Sequence, residues 1–379
     1  MATDKSRRSI PPAIRELFFA LLRAGLHPDR AAEAITVPAG NPWPALCRLA
    51  AAQGVSAIVR DGLETLHAQG LLADEAMPPR TIRLQWALNV ERIEQLYARQ
   101  RRVIGRLAAF MHGHGIPMML LKGYGLSLSY PRPEHRPCGD IDVWFYGRQQ
   151  EADELLRRER QVQIDEDVHH HTTFTLDGIL IENHFDFLNI HAHLSNRPIE
   201  EQLQRCAREE PSEQVEVDGA PVQLPPANFN ALFLLRHAAM HFAAMEIGMR
   251  HVADWAMFIE HSHNGIDWEA LCTMARRMNM HRFLNCLNAI AIDRLGVDAG
   301  MVPAFDRDPA LEERVLADIL QPEFSETPPA GGLLRTVWFR TRRWWCNRWK
   351  HRIVYSEGLL WTFLVQVRSH LMKPRSLTH

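Results

Sequence analysis

No run of apolar residues in this 379-residue chain approaches the ~20 that a membrane-spanning helix needs. The longest candidates, Pro117–Leu121 and Gly358–Val365, are far too short. The opening residues, Met-Ala-Thr-Asp-Lys-Ser-Arg-Arg, turn amphipathic and do not lead into an apolar block with a small-residue cleavage site, so no secretory signal is expected. Cysteine is sparse: Cys47, Cys138, Cys206, Cys272, Cys286 and Cys346 are scattered, with no Cys-x-x-Cys among them. That spacing argues against a disulfide scaffold or a thiolate zinc site and for reduced thiols in a cytoplasmic protein. Internal repeats and low-complexity tracts are lacking too. At 46% hydrophobic and 23% charged residues, the composition excludes a collagen and a mostly disordered chain, and the length suffices for two domains or three small ones.

Net charge is small, −2, but uneven. From Leu333 to His379 there are ten Lys and Arg against one acid, Glu357, so the preceding part must carry −11. Trp338, Trp344, Trp345, Trp349, Tyr355 and Trp361 interleave with those cations. Such a tail can bind nucleic acid or an anionic membrane surface. The favoured expectation is instead that it docks on the acidic remainder, with arginine stems lying over the core and tryptophans packed beneath.

From Pro12 to about Gly115 the apolar period is helical. Ile14, Leu17, Phe18, Leu21 and Leu22 form one stripe, and Trp86, Val90, Ile93, Tyr97, Ile104, Leu107 and Met111 another. At His114-Gly115 the character changes. Ile116–Leu121 reads as a strand running into the turn Lys122-Gly123, and Asp140–Phe145 alternates as a half-buried strand should. Gln149–Arg160 is charged and helical. Thr172–Leu176, Asp177-Gly178 and Ile179–Phe187 form a hairpin, Asp-Gly supplying the positive φ of a two-residue turn. After Pro225-Pro226, Asn228–His261 reads as helix, and Asp267–Leu295 contains another. The expected plan is α+β: a helical region over 1–114, a small mixed-sheet core over 115–224, a helical domain over 225–332 and the basic tail over 333–379.

The chemistry concentrates around Asp140 and Asp142. Two residues apart on a strand, they present both carboxylates on one face about 7 Å apart, an arrangement that a divalent cation between them would stabilise. Glu182 shares a face of the hairpin strand with Leu180, His184 and Asp186. A glycine after Lys122 lets backbone approach a phosphate. Other polar groups read more plainly. Of His169, His170 and His171, at most two can converge on one face of a strand, so packing or solvated roles are expected. His237 and His241, at i and i+4, read as polar groups facing the cleft or a seam between domains. Arg250 and Asp254 read as a helix salt bridge, and Met240, Met245, Met249 and Met257 as core.

The segment Leu120-Leu-Lys-Gly-Tyr-Gly-Leu-Ser-Leu-Ser-Tyr-Pro-Arg-Pro-Glu-His-Arg-Pro-Cys-Gly-Asp-Ile-Asp-Val-Trp-Phe145 resembles the signature of the polymerase-β-like nucleotidyltransferase superfamily. It is most similar to a bacterial branch with a Leu-Lys-Gly turn, a Tyr-Pro loop and an Arg-x-x-Gly-Asp-Ile-Asp strand. The resemblance continues through Ile181-Glu182-Asn183-His184, Arg236-His237-Ala-Ala-Met-His241, Arg250, Asp254 and Asp267-Trp268, covering most of Gly115 to Leu295. It implies a small mixed sheet backed by helices, and transfer of a nucleoside monophosphate from an NTP to an acceptor hydroxyl with two Mg2+ ions and pyrophosphate release. It casts Asp140, Asp142 and Glu182 as catalytic metal ligands and Lys122, Gly123, Arg136 and Gly139 as nucleotide contacts, with His184 and His241 supporting them. Tyr124 stands where the superfamily commonly has Ser or Gly, and Ser127 lies one turn further on. That departure motivates an alternative, a catalytically reduced nucleotide-binding or regulatory module. A second alternative is an RNA-modifying enzyme guided by the basic tail. The acceptor, whether protein, small molecule or RNA, is not named by any motif.

Overall fold

The structure is a computed structural model that describes residues 10–30, 34–166, 170–244, 246–322, 324, 332–358 and 361. The opening segment Met1–Arg8, His169, Met245 and most of the tail beyond Gly358 lie outside the described residues.

Four helices come first: α1 (Pro12–Leu26), α2 (Trp43–Ala52), α3 (Ser56–Ala68) and α4 (Arg80–Gly113). With 34 residues, α4 is about 50 Å long. Next come β1 (Met119–Leu120), α5 (Lys122–Ser127), β2 (Ile141–Trp144), α6 (Gln149–Arg160), β3 (Ile164–Asp165), β4 (His171–Leu176), β5 (Ile179–His184), α7 (Asn196–Glu209), β6 (Glu213–Val217) and β7 (Ala220–Leu224). Helices complete the chain: α8 (Ala227–Ala244), α9 (Met249–Ser262), α10 (Trp268–Arg277), α11 (His281–Ile290), α12 (Pro309–Leu320), α13 (Gly332–Cys346) and α14 (Arg348–His351). The fold is α+β, a mixed seven-stranded sheet among helices, in the order β3-β4-β5-β2-β1-β7-β6.

Two strand pairs set the centre. β2 runs antiparallel to β1 and parallel to β5. Because side chains alternate along a strand, Ile141 and Val143 point to one face and Asp142 and Trp144 to the other. The first face packs on α4 and α6 through Ile104, Leu107, Met111, Ala152 and Leu156. A second buried cluster joins Trp144 and Phe187 to α8 and α9, and also unites α1–α3 with those later helices.

Two features differ from the sequence expectation. The helix expected across Asn228–His261 is two helices, because Gly248 is extended (φ −102°, ψ 173°) and starts α9. The β6–β7 hairpin was not anticipated, although Asp218-Gly219 carries the same positive-φ turn (φ 49° and 79°) as Asp177-Gly178. Gly105 of α4 lies against that hairpin: a Cβ there would come within 2.8 Å of the Val217 carbonyl oxygen.

Candidate active site

Asp142 and Glu182 sit opposite each other in the parallel β2–β5 register, so their side chains leave the sheet side by side. His184 lies two residues beyond Glu182, and His171 on β4 pairs in register with His184. All four therefore share the face away from α4 and α6. Asp140 precedes β2 by one residue, one strand period before Asp142, and lines the same cleft.

Asp142 is buried, 3% exposed, and its Oδ1 meets two cations. Lys122 Nζ lies at 3.0 Å and His184 Nε2 at 3.0 Å. Its Oδ2 is buried with no hydrogen-bond partner. Burial opposes its charge, but Lys122 and His184 outweigh that and hold its carboxyl far below the usual range. Burial likewise opposes a charged His184. Hydrogen bonds to Asp142 and Glu182, whose Oε2 is 3.4 Å away, prevail and raise its pKa to about 9. Asp140 behaves oppositely: burial and then the Asp142 charge push its pKa up. Lys122 is half-buried; burial opposes its charge, but the three acids it faces outweigh that and hold it protonated. The three acids thus meet two cations, and an orphaned carboxylate oxygen among hard oxygen donors fits a divalent ion.

Lys122 can reach Asp142 because Gly123 bends the chain beneath it. Its φ of 55° and ψ of −116° are strained for any residue with a side chain. Tyr124 and Ser127 turn inward. Tyr124 stacks on Tyr97 with ring centroids 4.9 Å apart. The Ser127 hydroxyl donates to the Tyr124 carbonyl at 2.6 Å and lies 3.0 Å from the Tyr97 hydroxyl. Neither residue lines the cleft.

The Tyr-Pro loop acts as a clamp. Arg132 and His135 both bind Asp61 of α3, at 2.8 Å and 2.6 Å, and His135 also meets Glu94 of α4 at 2.8 Å. Tyr130 donates to Asp254 of α9 at 2.6 Å. Arg136 grips the same carboxylate with two hydrogen bonds of 3.0 and 2.7 Å. Arg136, expected at the phosphates, lines the cleft while its guanidinium is paired with Asp254, and Asp254 is not paired along its own helix. Arg250, one turn earlier, lines the cleft and reaches the Pro137 carbonyl at 3.4 Å; it makes no ion pair among the described residues. Sequence reasoning missed it as a cleft cation because the i, i+4 spacing suggested Asp254 as its partner. Gly139 is exposed, and a Cβ there would meet nothing within 4 Å. His237 and His251 complete the far wall with Leu234 and Trp255. Beside them, His241 lies with its ring 4.4 Å from that of His237, and burial, then Lys122 and Arg250, lowers its pKa to about 4.

A family model described as "Uncharacterised nucleotidyltransferase" matches residues 39–296, more than half of the chain. The chain belongs to this family. The match spans the Lys122 turn, the clamp loop, β2, β5 and helices α8 and α9, so this nucleotidyltransferase family member presents its acids within the shared region. A crystal structure of an antigenic nucleotidyltransferase-like protein from Paracoccidioides brasiliensis is similar over 42% of this chain and 75% of that one, at 15% identity and a TM-score of 0.30. That likeness is too distant to bear on individual residues. No curated protein matches the chain. No helix among the described residues is long and apolar enough to cross a membrane.

Proposed function

We propose that the protein transfers a nucleoside monophosphate from an NTP to an acceptor hydroxyl with Mg2+, releasing pyrophosphate. The observation that carries this reading is the register of Asp142 against Glu182, with Asp140 one strand period earlier on the same cleft-facing side. Asp140 and Asp142 would hold two ions, with Glu182 completing the shell nearer the acceptor. Bound there, Mg2+ supplies charge neutralisation and alignment of the α-phosphate. Glu182 accepts the acceptor's hydroxyl proton. The acceptor oxygen bonds to the α-phosphorus as the bond to the β-phosphate oxygen breaks. Lys122 leaves Asp142 and, with Arg250 and the backbone near Gly123 and Gly139, neutralises the departing pyrophosphate.

The test is to incubate purified protein with each α-labelled NTP, Mg2+ and a cell extract, and to find the labelled fraction. Tyr124 and Ser127 turned into the core favour a second reading, a module that binds nucleotide without transferring it. Saturable NTP binding with no labelled product in any fraction would establish that reading and end the first.

Two substitution pairs sharpen the assignment. Glu182→Gln should lose nearly all transfer while Asp186→Asn keeps most, because β5 ends at His184 and Asp186 lies past it. The reverse order would place the third acid two residues further on. Arg250→Met should raise the KM for NTP about tenfold, the worth of one charge-assisted contact, with an unchanged melting temperature. Arg136→Met should instead lower stability by about 3–5 kcal/mol, since it leaves Asp254 buried without its cation. Equal nucleotide affinities in wild type and Arg250→Met would remove Arg250 from the site.

A further inference from the structure

We propose that His170, His171 and His184 form a nitrogen-donor metal site adjoining the carboxylates and sharing His184 with them, suited to a transition-series divalent ion of the Zn2+ class. One ligand atom from each lies within 4.8 Å of the others. Their ring centroids are 4.3, 5.0 and 5.6 Å apart. The sequence suggested that consecutive histidines on a strand would diverge. His170, however, sits in the bend before β4 and escapes the alternation, while the third ring comes from the neighbouring strand, where His184 pairs in register with His171.

Backbone hydrogen bonds tie the trio's two strands together. The His170 carbonyl accepts from the backbone N–H groups of both Phe185 and Asp186, each at 3.1 Å, which fixes the bend against the end of β5. His184 Nδ1 lies 3.2 Å from the Asp186 carbonyl oxygen. A ligating histidine characteristically holds its other ring nitrogen in this way; to bind an ion, Nε2 gives up its proton and its 3.0 Å contact with Asp142. His171 is 7% exposed, and its Nδ1 is buried without a partner, as is Nδ1 of His170. A buried imidazole nitrogen without a partner is costly unless something binds it. Glu182 borders the trio, with Oε1 3.7 Å from His171 Nε2 and Oε2 3.4 Å from His184 Nε2, so a carboxylate is available as fourth donor.

Donor chemistry separates this site from that of Asp140 and Asp142. Mg2+ prefers oxygen, whereas imidazoles suit Zn2+, Co2+ and Ni2+. Tetrahedral zinc bonds of ~2.0–2.1 Å require the ring nitrogens to draw together by about an ångström, within reach of χ rotation. A second trio, His237, His241 and His251, does not bring its ligand atoms to this spacing; among the described residues only the His170 trio and the Asp142–Glu182–His184 set do.

The experiment titrates the chelator-treated full chain with Co2+ in the presence of ~5 mM Mg2+, and the Asp140→Ala arm separates any Co2+ held at the carboxylates. Visible ligand-field absorption saturating at one equivalent is expected, with Zn2+ displacing it. Affinity should fall at least about tenfold in His170→Ala and His171→Ala and stay within twofold in Asp140→Ala and His251→Ala. X-ray absorption on the Zn2+-loaded wild type counts imidazole ligands without any variant, and three are expected. Absence of imidazole scattering, loss of Co2+ binding in Mg2+, or equal affinity in a folded His170→Ala would each overturn the site. None of these readouts depends on nucleotide transfer.

Discussion

Asp142→Ala should lose both activity and stability, whereas Asp140→Ala should lose activity alone. Spacing makes the two acids equivalent, and from the sequence neither loss should harm the fold, because each relieves repulsion. Their surroundings make them unequal. Asp142 is the counter-ion of Lys122 and His184, both within 3.0 Å. Without it a half-buried ammonium and a buried imidazolium lose their partner, at a cost on the order of 3–5 kcal/mol. Asp140 is held with its pKa raised, by burial first and Asp142 next, so removing it is neutral or mildly stabilising. Transfer should fall at least about a thousandfold in both, as expected when a residue acts only on the transition state. Adding Lys122→Met to Asp142→Ala should recover part of the lost stability, the signature of a coupled pair.

The pH dependence follows with a definite sign. The Asp142 carboxyl is lowered, so its contribution is present above the ordinary carboxylate pKa and is lost in acid. His184 is raised from 6.5 to about 9, so its contribution is complete below pH 6.5 and disappears as pH rises through about 9. Wild type should therefore lose melting temperature between those values, and Asp142→Ala should lose less. Identical thermal and pH profiles for the two alanine variants would refute the ion-pair account.

What the sequence made legible was local. Gln149–Arg160 is helical from end to end, and the Asp177-Gly178 hairpin has the register its turn requires. Period-2 geometry alone placed Asp140 with Asp142, and Glu182 with His184. Long-range partners were not legible. Nothing near Arg136 announces that it will be claimed by Asp254, 118 residues away. Nor does the triple histidine announce that its third converging ring is His184, because cross-strand register depends on where the hairpin turns. The β6–β7 hairpin is different: Asp218-Gly219 between Val215, Val217 and Val222 carried the signal, and a search for Asp-Gly turns alone would have found it.

Removing residues from Gly332 onward should cause aggregation, whereas removing those after Gly358 should leave a folded protein. The difference lies in the short stretch from Asn347 to Glu357. Lys350 is 1% exposed and pairs with Asp318 of α12 at 2.5 Å. Trp349 meets Phe242 edge-on at 5.6 Å, under the Arg314 guanidinium at 4.0 Å. Tyr355 stacks on His193 at 3.8 Å, and Glu357 accepts from Ser195 at 3.2 Å. Arg236 of α8, fully buried, binds Asn196 at 2.6 Å, Ser195 at 2.9 Å and the Val354 carbonyl at 3.2 Å, with Tyr355 beneath it. Deleting this stretch bares Phe242, strands Asp318 and deprives Arg236 of a carbonyl and a ring, a combined loss on the order of 5 kcal/mol or more. Three other tryptophans of the tail that the structure describes are more exposed than the docking expected on charge grounds has them. Trp338, Trp345 and Trp361 are 61%, 57% and 52% exposed, with Arg342 over Trp338 and Arg348 over Trp345. Trp338→Ala and Trp345→Ala should therefore leave the melting temperature within about a degree, since each removes little buried area. Arg236→Met should reproduce much of the longer truncation's loss and admit a protease between Asn347 and Gly358. A monomeric, fully stable protein ending before Gly332 would show that this stretch contributes nothing to the core.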